Sequence, residues 1–296
     1  MKRLREFEYY EPTSLEEASR VLAEAETDAR VLAGGTDLVV DMKTGRMRPS
    51  TVVNLKRIPD LTGIEDVDGS TRIGALTKVD AVEVSSLVVE RHPALAQAAS
   101  ILASPPVRAL ATIGGNVGRA SPASDLGPAL IVSDAVATIH GVDGRRDELV
   151  EDLYTGPGAT SLARSDIITA LTLPPRQPGF GSAHVKLGKR GSGTDIALAG
   201  ASASLVIGDG GEIIDCRIAL ASLGPIPFRA VGSESVLRSE ILTESLLEAA
   251  AEAAAGDAKP IGDMRASAAY RTRLARVLTL RALHGAVESA GAGVAA

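Results

Sequence analysis

The sequence predicts an α+β chain in two domains, on three observations. Its 296 residues exceed one average domain of about 150 residues. Its strands read as hairpins, with turn signals at Asp68-Gly69, at Asp143-Gly144 and at residues 208–211. The run PPRQPGFGS, residues 174–182, has no periodicity and separates two patterned regions, so it is the expected domain boundary.

The elements follow in chain order. Ser14 and Glu17 have capping-box spacing ahead of a helical pattern. Residues 30–33 read as a short strand ending in Gly34-Gly35. Residues 37–43 read as a short helix stopped near Gly45, and 51–55 as a strand. A hairpin is expected over 64–73, and an Ala-rich helix over 93–102 with Pro near its start. Residues 112–118 read as a glycine loop, with a helix at 124–131 behind it. A second hairpin surrounds Asp143-Gly144, and 167–173 is a strand stopped by Pro174-Pro175. Beyond the boundary, 183–189, 198–207 and 213–220 read as strands. A helix is expected from Thr243, as N-cap, to Ala255, with Gly256 as its stop. A last helix is expected from about 265 to 287, with Tyr270, Leu274, Val277 and Leu278 on one face and arginines around it. Residues 291–296 are expected to fray.

Composition excludes several functions. The net charge of −6 argues against nucleic-acid binding, which needs a basic surface. No apolar run approaches the 18 or so residues of a membrane span. Charges in MKRLREFEYYEP stand where a signal peptide is apolar, so the reading is cytoplasmic. A single cysteine, Cys216, excludes an internal disulfide framework, an iron–sulfur cluster and a cysteine zinc site. His92, His140, His184 and His284 form no metal-ligand spacing, and no GxSxG elbow is present. No catalytic or metal-binding residue is therefore assigned.

Two segments carry chemistry. In Ala33-Gly34-Gly35-Thr36-Asp37-Leu38 a strand runs into two glycines, a hydroxyl and a helix start. Paired glycines allow close backbone approach, and successive N–H groups at a helix start suit a diphosphate. The plain alternative is a tight turn with Thr36 as N-cap. Thr112-Ile113-Gly114-Gly115-Asn116, followed by Ser121 and Asp125, repeats the pattern. Asp125 could accept from a ribose; its plain alternative is helix capping with Ser124. Two such segments in one domain point to a dinucleotide. Neither segment is a Walker A, and neither fits GxGxxG.

These residues resemble a family. LAGGTDLVVDMK (32–43), VVNLKRIPDL (52–61), RIGALT (72–77), ATIGGNVGRASPASD (111–125), KLGKR (186–190) and DMRASAAYR (263–271) resemble the FAD-binding medium subunits of the molybdenum hydroxylases, such as carbon monoxide and xanthine dehydrogenases. The resemblance spans about residues 7–283. It implies a vanillyl-alcohol-oxidase (PCMH) type FAD domain over 1–176, with subdomains 1–58 and 59–176. It further implies a C-terminal domain of the carbon monoxide dehydrogenase flavoprotein type over 180–288 and a frayed tail at 289–296.

By that resemblance, Ala33, Gly34, Gly35, Thr36 and Leu38 wrap the diphosphate of a noncovalent FAD, with Leu32 and Asp37 among the cofactor-binding residues. Leu102, Ala111, Thr112, Gly114, Gly115 and Asn116 form the second contact. Ser121 and Asp125 meet the ribose, Ile168 packs on the adenine side, and Lys186 approaches the flavin. Arg119 stands where relatives often carry a smaller residue. His184 stands near a position that is aromatic in several relatives, close to the isoalloxazine. Cys216 reads as a buried thiol in a strand. The implied partners are a large molybdopterin subunit and a small subunit with two [2Fe-2S] clusters, in a dimer of heterotrimers. The implied role is electron transfer to an external acceptor. Two alternatives stay open: a stand-alone FAD-dependent reductase or oxidase of the same fold, and a flavin-free assembly or nucleotide-binding subunit.

Overall fold

The computed structural model describes residues 4–25, 28–190 and 194–293. A three-stranded parallel sheet opens the chain, with Thr51–Asn54 between Glu8–Tyr10 and Ala29–Leu32. Parallel neighbours need crossovers, and the helices Leu15–Glu24 and Leu38–Thr44 supply them. Ser14 caps the first helix, accepting from Glu17 N at 3.1 Å. The Glu17 carboxylate reaches back to Thr13 N at 2.9 Å, so the capping box closes one residue earlier than its sequence pattern.

The second layer is a five-stranded antiparallel sheet. Its order is Ile64–Val67, Ser70–Gly74, Ile167–Leu173, Val136–Gly141, Gly144–Leu149. The strand that comes last in sequence thus lies at the centre. Asp68 and Gly69 both have positive φ, 52° and 83°, the conformation a two-residue hairpin turn demands. Helices cover one face, and Leu95, Ile113, Leu126 and Leu130 pack with Ile73, Ile139 and Leu171 into one core.

The C-terminal sheet is antiparallel, ordered Phe180–Gly188, Ala197–Ile207, Ile213–Ala221, Phe228–Arg229. Every residue of Ala197–Ile207 is buried, because the strand has cover on both faces. Helix Ala268–Ser289 lies against it, as does helix Leu126–Ile131 from the preceding region. The sheet edge at Phe180–Gly188 is closed by helix Pro93–Ile101: His184 N donates to Gln97 Oε1 at 2.7 Å, and Ala94 N donates to Ser182 Oγ at 3.2 Å. Arg176, in the linker, donates to His92 Nδ1 at 3.1 Å and stacks 4.1 Å from the Phe180 ring centre. The two regions are therefore joined along this seam by polar contacts. No helix among the described residues is long and apolar enough to cross a membrane.

Four local expectations are corrected. The glycine loop at 112–118 is a helix, Ile113–Arg119, capped by Thr112 Oγ1 accepting from Gly115 N at 3.2 Å. Burial of Ile113 and Val117 outweighs the poor helix propensity of its glycines. Gly256 does not stop its helix, which runs Glu244–Asp257. The last helix starts at Ala268, because Asp263 Oδ1 accepts from Arg265 N and Ala266 N and holds a turn there. On that helix Leu274 and Leu278 are buried, but Tyr270 and Val277 are exposed, and Arg271 is buried in their stead. Arg271 donates to Leu198 O and Asp263 Oδ1. At the tail, Gly291 N and Ala292 N bond back to the helix; residues 294–296 lie outside the described residues.

Candidate functional site

The two glycine segments touch. A Cβ on Gly34 would overlap the carbonyl oxygen of Leu110 and lie 3.0 Å from Ala111 Cα. Only a residue without a side chain permits this approach. Around the contact lies a cavity of about 800 Å³, within the range of roughly 300–1,000 Å³ for cofactor sites. Its walls hold Ala33, Gly34, Gly35, Thr36, Asp37 and Leu38 from the first segment. The second supplies Ala111, Thr112, Gly114, Gly115 and Asn116, and Leu102, Ser121, Asp125 and Ile168 complete the set. Two of the expected residues stand elsewhere. Leu32 packs its side chain behind Gly35, and Lys186 sits behind Asp125. A separate hollow of about 770 Å³ beside Arg72 and His140 contains none of the expected site residues.

The two segments are not equivalent. Thr36 does not cap the helix Leu38–Thr44; the N-cap residue is Asp37, with no side-chain cap bond. Among the described residues, no protein acceptor takes the amides of Gly35, Thr36, Asp37 and Leu38. Gly35 has φ of 76°, which turns the chain so that these amides follow one another around the bend. In the second segment the amides are spent: Ile113 N on Thr77 O, Gly114 N on Ala75 O, Gly115 N on Thr112 Oγ1. The expectation that both turns offer amides to an anion is thus corrected. The second contributes close approach at Gly115, which is exposed to the cavity, and the side-chain amide of Asn116. The Asn116 carbonyl accepts from Ser124 Oγ at 2.6 Å, so its NH2 is the group left to offer.

Ser124, not Asp125, caps the following helix, accepting from Gly127 N at 2.9 Å. Asp125 is released for another task. Its Oδ2 accepts from Lys186 Nζ at 2.7 Å, and the lysine also donates to Ile101 O at 2.8 Å. Its Oδ1 is buried without a partner. Burial pushes the Asp125 carboxyl up to about 6, although the Lys186 charge pulls it the other way. Asp125 lines the cavity, and an orphaned buried acceptor is costly unless a donor completes it; a sugar hydroxyl is such a donor.

His184 does not reach the cavity. It is buried, its Nδ1 2.8 Å from Ser202 Oγ, and burial holds it down to about 3. Cys216 is buried as well, its thiol pushed up to about 11 chiefly by burial. Sequence reasoning passed over Asp41 and gave Arg119 no partner. Arg119 lies 3.4 Å from Asp37 Oδ1 and 3.1 Å from Asp41 Oδ2, and all three line the cavity. The available signal was the spacing of Asp37 and Asp41, four apart at a helix start and so on one face.

Comparison with known proteins bears on this geometry. Residues 5–176 match the FAD binding domain in molybdopterin dehydrogenase, and residues 183–286 match the CO dehydrogenase flavoprotein C-terminal domain. The chain is 34% identical to the carbon monoxide dehydrogenase medium chain of Hydrogenophaga pseudoflava, over 95% of this chain and 96% of that one. It is 32% identical to the xanthine dehydrogenase FAD-binding subunit of Escherichia coli O157:H7, over 96% and 97%. A structure of carbon monoxide dehydrogenase from Hydrogenophaga pseudoflava, lacking the Mo-pyranopterin moiety of its cofactor, superposes with TM-score 0.93 at 32% identity over 97% of this chain and 99% of that one. Quinoline 2-oxidoreductase from Pseudomonas putida 86 superposes with TM-score 0.89 at 26% identity over 98% and 99%. With both domains matched in order, the chain belongs to the FAD-binding medium subunits of the molybdenum hydroxylase family, a flavoprotein oxidoreductase subunit whose cofactor is FAD.

Proposed function

We propose that the cavity between the glycine segments is the FAD seat, and that the chain relays electrons from the [2Fe-2S] clusters of a small partner subunit to an external acceptor. A large molybdopterin subunit would feed those clusters, and the assembly would be a dimer of these heterotrimers. The observation that carries the reading is the set of uncommitted amides at Gly35, Thr36, Asp37 and Leu38, lining one cavity with Asp125, whose buried Oδ1 lacks a partner. The first fits a diphosphate; the second fits a hydroxyl donor.

FAD, when bound, takes up two electrons and releases them singly or together. The chain's own part is positioning. The amides of the first segment bind and orient the diphosphate. Gly115 lets the cofactor approach the backbone of the second helix. Asp125, aimed by Lys186, takes a ribose hydroxyl. Leu102 and Ile168 give the cavity apolar walls that exclude water. Electron relay needs no acid–base pair.

The test is purification from the source organism through a tag on this chain, with iron, molybdenum and flavin measured. Co-purification with iron- and molybdenum-bearing chains is expected. A catalytically complete single-chain enzyme would overturn the relay.

A further inference from the structure

Asp37 and Asp41 place two carboxylates beside the amides that suit a diphosphate, which is an arrangement that should repel one. The Asp41 side chain keeps 5% of its exposure, and that of Asp37 keeps 61%. Arg46 also reaches Asp41, at 3.4 Å, but is itself 72% exposed. Arg119 is the cation on the cavity side. It closes the second helix, Ile113–Arg119, and its guanidinium spans both carboxylates of the first, with Nε toward Asp37 and Nη2 toward Asp41. A fork held by two acids on another element is the geometry for which arginine is suited. Two consequences follow. The arginine offsets the buried Asp41 charge next to the anion seat, where low dielectric strengthens repulsion, whereas the charge of the exposed Asp37 is screened by solvent. It also ties together the two segments whose backbones meet at Gly34 and Leu110.

We propose that Arg119 is a positioning residue for FAD, pairing with Asp37 and Asp41 and offsetting the buried Asp41 charge beside the diphosphate seat, so that the anion can enter. The proposal rests on the cavity being that seat. Arg119 acts through the two carboxylates and needs no contact with the cofactor.

The experiment titrates FAD into the full-length apo chain, read by flavin fluorescence, at low salt and at about 0.5 M salt, where screening reaches only a few ångströms. At low salt R119M should bind FAD at least about tenfold more weakly, and the deficit should shrink at high salt. R119K, which keeps the charge, should stay within about threefold of the parent. The decisive arm is R119M/D41N, in which the offending carboxylate leaves with its partner; it should recover most of the lost affinity. Two results would overturn the proposal: R119M binding as tightly as the parent, or R119M/D41N binding no better than R119M. The second would mean that the arginine touches the cofactor or merely braces the fold. If R119M fails to fold, D41N alone decides: FAD affinity equal to or above the parent's supports the proposal, and weaker binding refutes it. A G115A control separates this from the cavity assignment. Undiminished binding by G115A would remove the seat itself, whatever Arg119 does.

Discussion

Lys186 and Asp125 meet at 2.7 Å across the two domains, with 1% and 10% of their side-chain surface exposed. The pair is held unevenly. The lysine has a second acceptor in Ile101 O, whereas the carboxylate has an oxygen with no partner. Breaking a buried pair on one side costs about 3–5 kcal/mol, and replacing both partners by apolar groups is often neutral. Lys186→Met is therefore expected to destabilise the chain by that order. Lys186→Met combined with Asp125→Leu should recover most of the stability. The double variant should still bind FAD poorly, because the proposed ribose acceptor is gone. Urea unfolding and FAD titration on the same preparations check both halves. Restored stability together with parental FAD affinity would remove Asp125 from the site.

Three buried groups set an expected pH profile. His92 and His184 are each held down to about 3, mainly by burial, with Arg176 beside the first and Lys186 beside the second. Arginine has only donors, so His92 Nδ1 accepts and its Nε2–H donates to Thr71 Oγ1 at 2.9 Å. Below the ordinary histidine value of 6.5 the unfolded chain binds the protons that these two rings refuse. Their contribution is complete above that pH and is lost as pH falls toward 3. Asp125 works oppositely. Its folded value of about 6 exceeds the ordinary 3.8, so its contribution declines as pH rises between them. Near pH 5 these three groups leave a net of one proton, a loss of about 1.4 kcal/mol per pH unit of acidification. His92→Gln should flatten that slope, and Asp125→Asn should roughly double it. Urea unfolding from pH 4 to 7 reads both slopes; unchanged slopes would contradict the burial of these groups.

Local chemistry explains what was legible in the sequence. The Asp68-Gly69 turn and the Ser14 and Thr243 caps were readable because each depends on two or three neighbouring residues. The five-stranded order was not. Nothing near Ile167–Leu173 says that it inserts between Ser70–Gly74 and Val136–Gly141. The helix Ile113–Arg119 hid behind its glycines, since burial of Ile113 and Val117 decides it. In the site, both glycine pairs line the cavity, yet the commitment of the second pair's amides to Ala75 and Thr77 is long-range and has no local signature. The partners of Arg119 are illegible locally for the same reason: its acids stand some eighty residues earlier in the chain.

FAD is expected to be held noncovalently. Covalent attachment needs a nucleophile such as His or Cys on the wall, and none lines the cavity among the described residues. His184 is engaged with Ser202, and the Cys216 thiol lies against Glu234 O at 3.4 Å. Acid precipitation of the flavoprotein should carry all the yellow colour into the supernatant. Colour kept in the washed pellet would contradict this.

The two glycine positions should separate stability from binding. At Gly34 a methyl group would collide with backbone, the Leu110 carbonyl and Ala111 Cα, and backbone cannot rotate away. Gly34→Ala should force the segments apart and cost about 2 kcal/mol or more, as overpacking does, with FAD binding lost alongside. At Gly115 the near neighbour is a side-chain atom, Thr112 Oγ1 at 2.8 Å, with Ala33 Cβ at 3.8 Å. The hydroxyl can turn aside at the cost of its cap, about 0.5–2 kcal/mol, while alanine regains about 1 kcal/mol of helix propensity. Gly115→Ala should therefore leave stability within about 1 kcal/mol of the parent. Its methyl group nevertheless adds bulk at the proposed approach of the cofactor, so FAD affinity should fall by about tenfold or more, the effect of one extra methylene in a tight site. Melting curves of the apo chains and FAD titrations distinguish the two. A Gly34→Ala chain that stays as stable as the parent would contradict the contact between the segments, because no side chain there can yield to make room.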